Sequence, residues 1–157
     1  MSRQPISSSI ALYPRLMESS SHRKDKVKEK KEMAGHDQRN KKSRVVKIDT
    51  GETWDLVTAK ARSQGCPVAV HFTASWCMPS VAMNPLFEGL ALSYQDVLFL
   101  LVDVDEVKEV ASKMEIKAMP TFVLMREGEQ VDKLVGANPD EIRKRIHGFA
   151  RSFVHVF

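Results

Sequence analysis

Short apolar runs alternate with segments of helical periodicity from residue 44 onward. The run from Pro67 to Thr73 is apolar and β-branched at almost every position, which is typical of a central strand covered on both faces. Similar runs predict strands at 45–48 and 97–102. Between the first two strands, Thr50 is placed to cap a helix that ends at Gly65.

Two further helices are predicted from apolar spacing and capping residues. One begins at Cys77 and ends near Ser93, because Pro79 falls in its first turn and an apolar stripe follows. Pro85 lies inside this segment and should kink it. Asp105 is placed to cap the second, shorter helix.

In the last third of the predicted domain, strands linked by helices give way to two strands linked by a short turn. Thr121–Met125 and Val131–Val135 are separated by a turn around Gly128, which predicts an antiparallel pair of strands. Asn138 and Pro139 then open a terminal helix. The order of elements predicts an α/β domain with one mixed sheet and helices on both faces.

Composition limits the classes that the chain can belong to. Its 157 residues are 43% hydrophobic and 28% charged, which suits one globular domain and excludes a collagen-like or fully disordered chain. The longest uncharged apolar stretch is far shorter than the roughly 20 residues that a membrane-spanning helix needs, so no membrane association is expected. Two cysteines cannot build a disulfide-stapled scaffold, which favours a reducing compartment and a cytoplasmic location.

Residues 1–43 form a basic amino-terminal extension to a domain predicted over 44–157. Residues 1–44 carry 12 Lys and Arg against 5 Asp and Glu, a net charge of +7, whereas the remainder carries 12 against 15. Acidic residues interrupt the basic run and no aromatic residues are interleaved with it, so a solvated disordered arm is favoured and no nucleic-acid binding is predicted. Organelle targeting and a translation start at Met33 are the alternatives for this extension.

Cys77 is the candidate nucleophile of the chain. It lies where the predicted central strand passes into a helix, within Trp76-Cys77-Met78-Pro79-Ser80. Unpaired N–H groups and the positive end of the helix dipole at such a junction favour the thiolate, which is the form that attacks disulfides. The alternative is a small buried apolar residue, the usual role of a free cysteine.

Three segments together resemble the thioredoxin family over residues 44–153: Phe72–Cys77 resembles the approach to its active site, Met119-Pro120-Thr121 its cis-proline loop, and Gly136-Ala137 its late glycine loop. Ser80 stands where thioredoxins have a second, resolving cysteine. In this departure the chain resembles the plant CXXS-type thioredoxin-like proteins. The resemblance implies a thioredoxin fold, protein disulfide isomerase activity and low disulfide reductase activity.

The change to serine favours isomerisation over reduction. A serine hydroxyl at neutral pH cannot attack a mixed disulfide on Cys77, so resolution within the chain is lost. Isomerisation needs only that Cys77 attack and later leave, while an external thiol such as glutathione resolves the intermediate slowly. We therefore expect protein substrates with disulfides or thiols, no cofactor, and a monomer.

The resemblance also suggests roles for residues around the nucleophile. A cis Met119-Pro120 bond would place the Met119 backbone beside Cys77, ready to pair with an extended substrate. Trp76, Met78 and Met119 would form an apolar rim for an unfolded polypeptide. His71 stands where thioredoxins carry a buried aspartate, and a neutral core histidine is favoured over a proton-transfer role.

Cys66 is not expected to replace the missing resolving cysteine. It precedes the predicted central strand and Cys77 follows it, which puts the two more than ~20 Å apart at about 3.3 Å per extended residue. A packing role is favoured over intermolecular dimerisation. Histidine and cysteine spacing predicts no metal site. Glutathione-linked monothiol transfer, or a client-binding module without turnover, are the alternative functions.

Overall fold

Five strands form one mixed sheet in the computed structural model, which describes residues 43–154. The strands are β1 (Val45–Ile48), β2 (Val68–Thr73), β3 (Leu98–Asp103), β4 (Thr121–Arg126) and β5 (Glu129–Val135). Their order across the sheet is β1-β3-β2-β4-β5. β1 and β2 run parallel to β3, while β4 lies antiparallel to both β2 and β5. All six residues of β2 are buried, so the predicted central strand is confirmed.

Helices cover both faces of the sheet, as predicted. The helices are α1 (Gly51–Ser63), α2 (Met78–Val81), α3 (Asn84–Ser93), α4 (Lys108–Lys113) and α5 (Pro139–Val154). One core packs α1 and α4 against the sheet, with Trp54, Val57 and Val110 buried on that face. The other packs α3 and α5 against the opposite face, with Phe87 and Ile146 buried there.

The single kinked helix predicted from Cys77 to Ser93 is wrong in detail, because the segment forms two helices. The Ala82 N–H bonds to Met78 and the Met83 N–H to Ser80, which closes the first helix with a tighter turn. Pro85 has no N–H with which to continue the ladder, and it lies in the first turn of α3, where none is required.

The capping predictions are confirmed at two helices and wrong at a third. The Thr50 hydroxyl accepts the Thr53 N–H at the start of α1, and Asn138 accepts the Glu141 N–H at the start of α5. Asp105 does not cap α4, whose N-cap residue is Val107. Instead, the carboxylate of Asp103 accepts the N–H groups of Asp105 and Glu106, which leaves the Asp105 side chain free for a contact described below.

The amino-terminal predictions lie outside the described residues. These are the disordered arm, organelle targeting and the start at Met33. Within residues 43–154, no helix has the length and apolar character that crossing a membrane would require.

Candidate active site

Cys77 lies at the junction that the sequence predicts. The chain leaves β2 at Thr73, and the Cys77 N–H bonds to the Ala74 carbonyl before α2 begins at the next residue. The Cys77 carbonyl then accepts the N–H groups of Ser80 and Val81, so Cys77 is the residue that opens the helix. Its side chain is partly exposed, as a nucleophile requires.

The contact made by the sulfur differs from the prediction. We expected the Cys77 Sγ to meet helix N–H groups, but it accepts none of them. Instead, the thiol donates to the Met119 carbonyl oxygen, with 3.5 Å between Sγ and O. This hydrogen bond engages the thiol form, because only S–H can donate.

The Met119-Pro120 peptide bond is cis. Neighbouring carbonyls in this loop are bonded within the fold: Ala118 accepts from the Thr121 hydroxyl at 2.6 Å, and Pro120 accepts from the Gly136 N–H at 2.9 Å. The thiol of Cys77 is the hydrogen-bond partner of the Met119 carbonyl among the described residues. The late glycine loop therefore holds the proline loop in place beside Cys77.

Apolar side chains are exposed around Cys77. Trp76 is 64% exposed and Met78 is 68% exposed, while Met119 is half-buried. Pro79 is also exposed, in the first turn of α2. Large apolar side chains left this open beside a partly exposed thiol form a surface that an apolar polypeptide can cover.

Trp76 is held in place by Asp105, which the sequence predicts as a helix cap. Its indole Nε1–H donates to Asp105 Oδ2 at 2.7 Å. Trp76 follows β2 and Asp105 follows β3, and parallel neighbours end at the same edge of the sheet. A carboxylate soon after a strand that neighbours β2 is the signal that could have identified this partner.

Ser80 is fully buried and its hydroxyl is already engaged. Ser80 Oγ donates to Thr73 Oγ1 at 2.6 Å and lies 3.4 Å from His71 Nε2. Because the serine proton goes to Thr73, the Nε2–H tautomer of His71 satisfies the remaining contact. Thr73 lies within the Phe72–Cys77 segment, but the sequence pattern predicts no role for it.

His71 is a core residue. It is fully buried, stacks on Phe122 with ring centroids 4.5 Å apart, and meets the edge of Phe87 at 5.3 Å. Burial lowers its pKa from 6.5 to about 4, so the ring is neutral at neutral pH. Its Nδ1 has no hydrogen-bond partner within the described part of the chain. The polar contact of His71 is with Ser80, in agreement with the favoured core role.

Cys66 lies at the opposite end of β2 from Cys77 and is buried, with 3% exposure. Its Sγ lies 3.5 Å from the Pro67 carbonyl and 3.9 Å from that of Asp96. Burial raises the pKa of this thiol to about 12. Cys66 is therefore a packing residue that cannot resolve a disulfide on Cys77. Residues 43–154 contain no group of His, Cys, Asp and Glu that could hold a metal ion.

Comparison with known proteins gives consistent results. Residues 45–148 match the family model for thioredoxin. Thioredoxin-like protein CXXS1 of Arabidopsis thaliana is 60% identical over 116 residues, which cover 73% of this chain and 98% of that protein. The protein of the same name from Oryza sativa subsp. japonica is 51% identical over 111 residues, covering 71% and 84%.

Solved structures show the same fold. A crystal structure of a thioredoxin from Nicotiana alata has a TM-score of 0.66 at 35% identity and covers 69% of this chain and 95% of that one. A poplar thioredoxin h has a TM-score of 0.65 at 42% identity and covers 68% and 96%.

Proposed function

The chain belongs to the thioredoxin family of thiol–disulfide oxidoreductases, in its plant CXXS-type branch, and we propose that it acts chiefly as a monothiol protein disulfide isomerase with low reductase activity. The family acts on protein substrates that contain disulfides. Cys77 is the nucleophile and the leaving group in this proposal.

The observation that carries the proposal is the state of Ser80. Its side chain is fully buried and its hydroxyl proton is committed to Thr73 at 2.6 Å. A dithiol reductase needs a second sulfur at this position to expel the reduced client. The other cysteine of the chain, Cys66, is buried at the far end of β2. One reactive thiol thus supports isomerisation but not rapid reduction.

The reaction requires no net redox change. The Cys77 thiolate attacks one sulfur of a client disulfide, so that a Cys77–client disulfide forms and a client thiolate leaves. That thiolate attacks a second disulfide of the client and frees a different client thiolate. The different thiolate attacks the client sulfur that is bonded to Cys77, so that a new client disulfide forms and Cys77 departs as a thiolate with its electron pair. The client finishes with the same number of disulfides in a new pairing. An external thiol such as glutathione attacks the Cys77 sulfur only as a slow side reaction.

Client binding is proposed at the apolar rim. Trp76 and Met78 are the exposed sequence neighbours of Cys77, and the Met119 carbonyl oxygen lies 3.5 Å from the Cys77 sulfur. An extended segment can add its backbone to Met119 as a strand while its apolar side chains cover the rim. Because backbone pairing is independent of side-chain identity, this arrangement suits many clients.

Recovery of a multi-disulfide enzyme from its scrambled form tests the proposal. We expect wild type to catalyse recovery in a glutathione buffer, Cys77→Ser to abolish it, and Cys66→Ala to retain it. Ser80→Cys should raise disulfide reduction in a separate assay with dithiothreitol. Absence of catalysed recovery by wild type, in the presence of an active control isomerase, would contradict the isomerase.

A client-binding module without turnover is the second candidate, and the exposure of Trp76 and Met78 favours it independently of the thiol. Such a protein would suppress aggregation of an unfolded client equally well as wild type and as Cys77→Ser. Trp76→Ala would impair both functions, so the comparison at Cys77 separates them.

A further inference from the structure

We propose that Met78 is a reversible oxidation site: hydrogen peroxide converts its thioether to a sulfoxide, and the sulfoxide weakens client binding beside Cys77. This inference rests on the proposed function, because it concerns the apolar rim on which clients are proposed to bind. It gives the site an oxidisable sulfur that is separate from the nucleophile.

Exposure distinguishes Met78 from the other methionines of residues 43–154. Met78 is 68% exposed, whereas Met83 and Met125 are buried, with 4% and 8% exposure. Met114 and Met119 are half-buried. Because an oxidant dissolved in water must reach the sulfur, we expect Met78 to react before the other methionines of this range.

The start of helix α2 keeps Met78 at the surface. Cys77 is the N-cap of this helix, Met78 is its first residue, and Ser80 is the residue that the turn buries completely. Neither of the two buried cores of residues 43–154 includes Met78. Its Cα atom is one peptide unit, about 3.8 Å, from that of Cys77. An exposed methionine is therefore adjacent to the nucleophile and takes no part in core packing.

Oxidation changes the chemical character of this side chain. The Met78 sulfur attacks one oxygen of the peroxide, so that an S–O bond forms, the O–O bond breaks and water leaves after proton transfer. The sulfur loses two electrons and the peroxide gains them. The product is a polar, chiral sulfoxide. A methionine sulfoxide reductase reverses the step: two thiols become a disulfide, and the oxygen leaves as water.

The sulfoxide opposes the burial that a client brings. A client that covers the rim contacts an apolar side chain at Met78 before oxidation and a strong hydrogen-bond acceptor after it. Trp76 is unchanged, because its indole stays bonded to the Asp105 carboxylate at 2.7 Å. A buried acceptor without a partner weakens binding by about fivefold or more, and we expect kcat/KM for disulfide rearrangement to fall by the same factor.

The test requires protection of Cys77, because its partly exposed thiol also reacts with peroxide. A methyl disulfide on Cys77 blocks the thiol while hydrogen peroxide acts. Dithiothreitol then frees Cys77, leaves the sulfoxide in place and is removed before the assay. Peptide mass mapping measures the sulfoxide at each methionine, and recovery of a scrambled multi-disulfide enzyme measures kcat/KM.

Met78→Leu is the decisive variant, because leucine is apolar and similar in volume but has no sulfur. Every other methionine of the chain is retained in it. Each protein is compared with its own untreated sample. We expect peroxide to lower kcat/KM of wild type and of the control Met114→Leu by about fivefold or more. The ratio of treated to untreated Met78→Leu should stay near one, and sulfoxide reductases for both epimers should restore wild type.

The outcomes separate this proposal from the isomerase. Equal fractional losses in wild type and Met78→Leu, or full activity of wild type whose Met78 is oxidised, would overturn the oxidation site and leave the isomerase intact. Oxidation of Met78 no faster than that of buried Met83 would also overturn it. If untreated wild type lacks catalysis, the isomerase fails, and suppression of client aggregation becomes the readout. A loss of suppression in oxidised wild type but not in Met78→Leu would then support the oxidation site, and equal suppression would overturn it.

Discussion

The indole of Trp76 and the carboxylate of Asp105 join the loops that follow two neighbouring parallel strands. The Nε1 to Oδ2 distance is 2.7 Å, and the tryptophan ring is otherwise 64% exposed. This hydrogen bond sets the orientation of the large side chain next to Cys77. The rim is therefore preformed on one side, although little of the Trp76 ring is packed.

Asp105→Ala should impair client use more than folding. Loss of the acceptor frees the Trp76 indole, so we expect kcat/KM for disulfide rearrangement to fall by roughly twofold to fivefold, the range of one modest hydrogen bond. Tryptophan fluorescence should show a more mobile exposed indole, while buried Trp54 keeps its signal. Glu106→Ala is the matched control, since Glu106 pairs with Lys47. Equal losses in both variants would contradict the role of Asp105.

Ser80→Ala should destabilise the fold by about 1–3 kcal/mol, because Thr73 and His71 would each lose a buried hydrogen-bond partner. Urea unfolding measures the change, with Ser75→Ala as an exposed control in the same loop region. The isomerase rate should stay close to that of wild type, since the hydroxyl takes no part in exchange. A large loss of rate in a folded Ser80→Ala protein would give the hydroxyl a chemical role.

Stability should fall in mild acid because of His71. Its pKa is lowered from 6.5 to about 4 in the folded protein, so the unfolded state binds more protons between these values. The stabilisation is present above about pH 6.5 and is lost as the pH falls toward 4, with a total of about 3 kcal/mol. Urea midpoints across this range measure it.

The matched variant for this pH dependence is His71→Phe. Phenylalanine retains the packing against Phe87 and Phe122 but does not titrate, so the slope should flatten. A slope that survives His71→Phe would assign the acid sensitivity to other groups.

Alkylation should distinguish the two cysteines. Cys66 is 3% exposed and burial raises its pKa to about 12, so at neutral pH it is both inaccessible and protonated. We expect intact-mass analysis to show one adduct on the native protein and two after denaturation. Cys77→Ser should show none in the native state. Two adducts on native wild type would mean that Cys66 opens to solvent.

Much of the fold follows from local patterns in the sequence. The unbroken apolar run at 68–73 specifies a strand buried on both faces, and Asn138-Pro139 specifies a helix start with its own cap. Strands linked by helices pair in parallel, and strands linked by a short turn pair antiparallel, so the order of the elements predicts a mixed sheet. These features depend on residues close together in the chain, which is why they can be predicted.

The contacts of the site could not be predicted because they depend on how separate elements meet. The Asp105 carboxylate is adjacent in sequence to helix α4 and looks like its cap, yet strand register brings it to Trp76, 29 residues away. The Cys77 sulfur points to the Met119 carbonyl, 42 residues away, and away from the helix that its own backbone opens. Side-chain direction at such junctions is decided by tertiary packing.

In the proposed reaction, the burial of Ser80 also determines how long a client stays bonded to Cys77. The Ser80 hydroxyl bonds to Thr73, and the Cys66 sulfur is buried at the far end of β2. Neither residue can therefore break the disulfide between Cys77 and the client. The lifetime of this disulfide is then set by the concentration of free thiols in solution and by the number of free thiols within the client. A client with many free thiols is released quickly, whereas a client with none is released only by thiols from the solution.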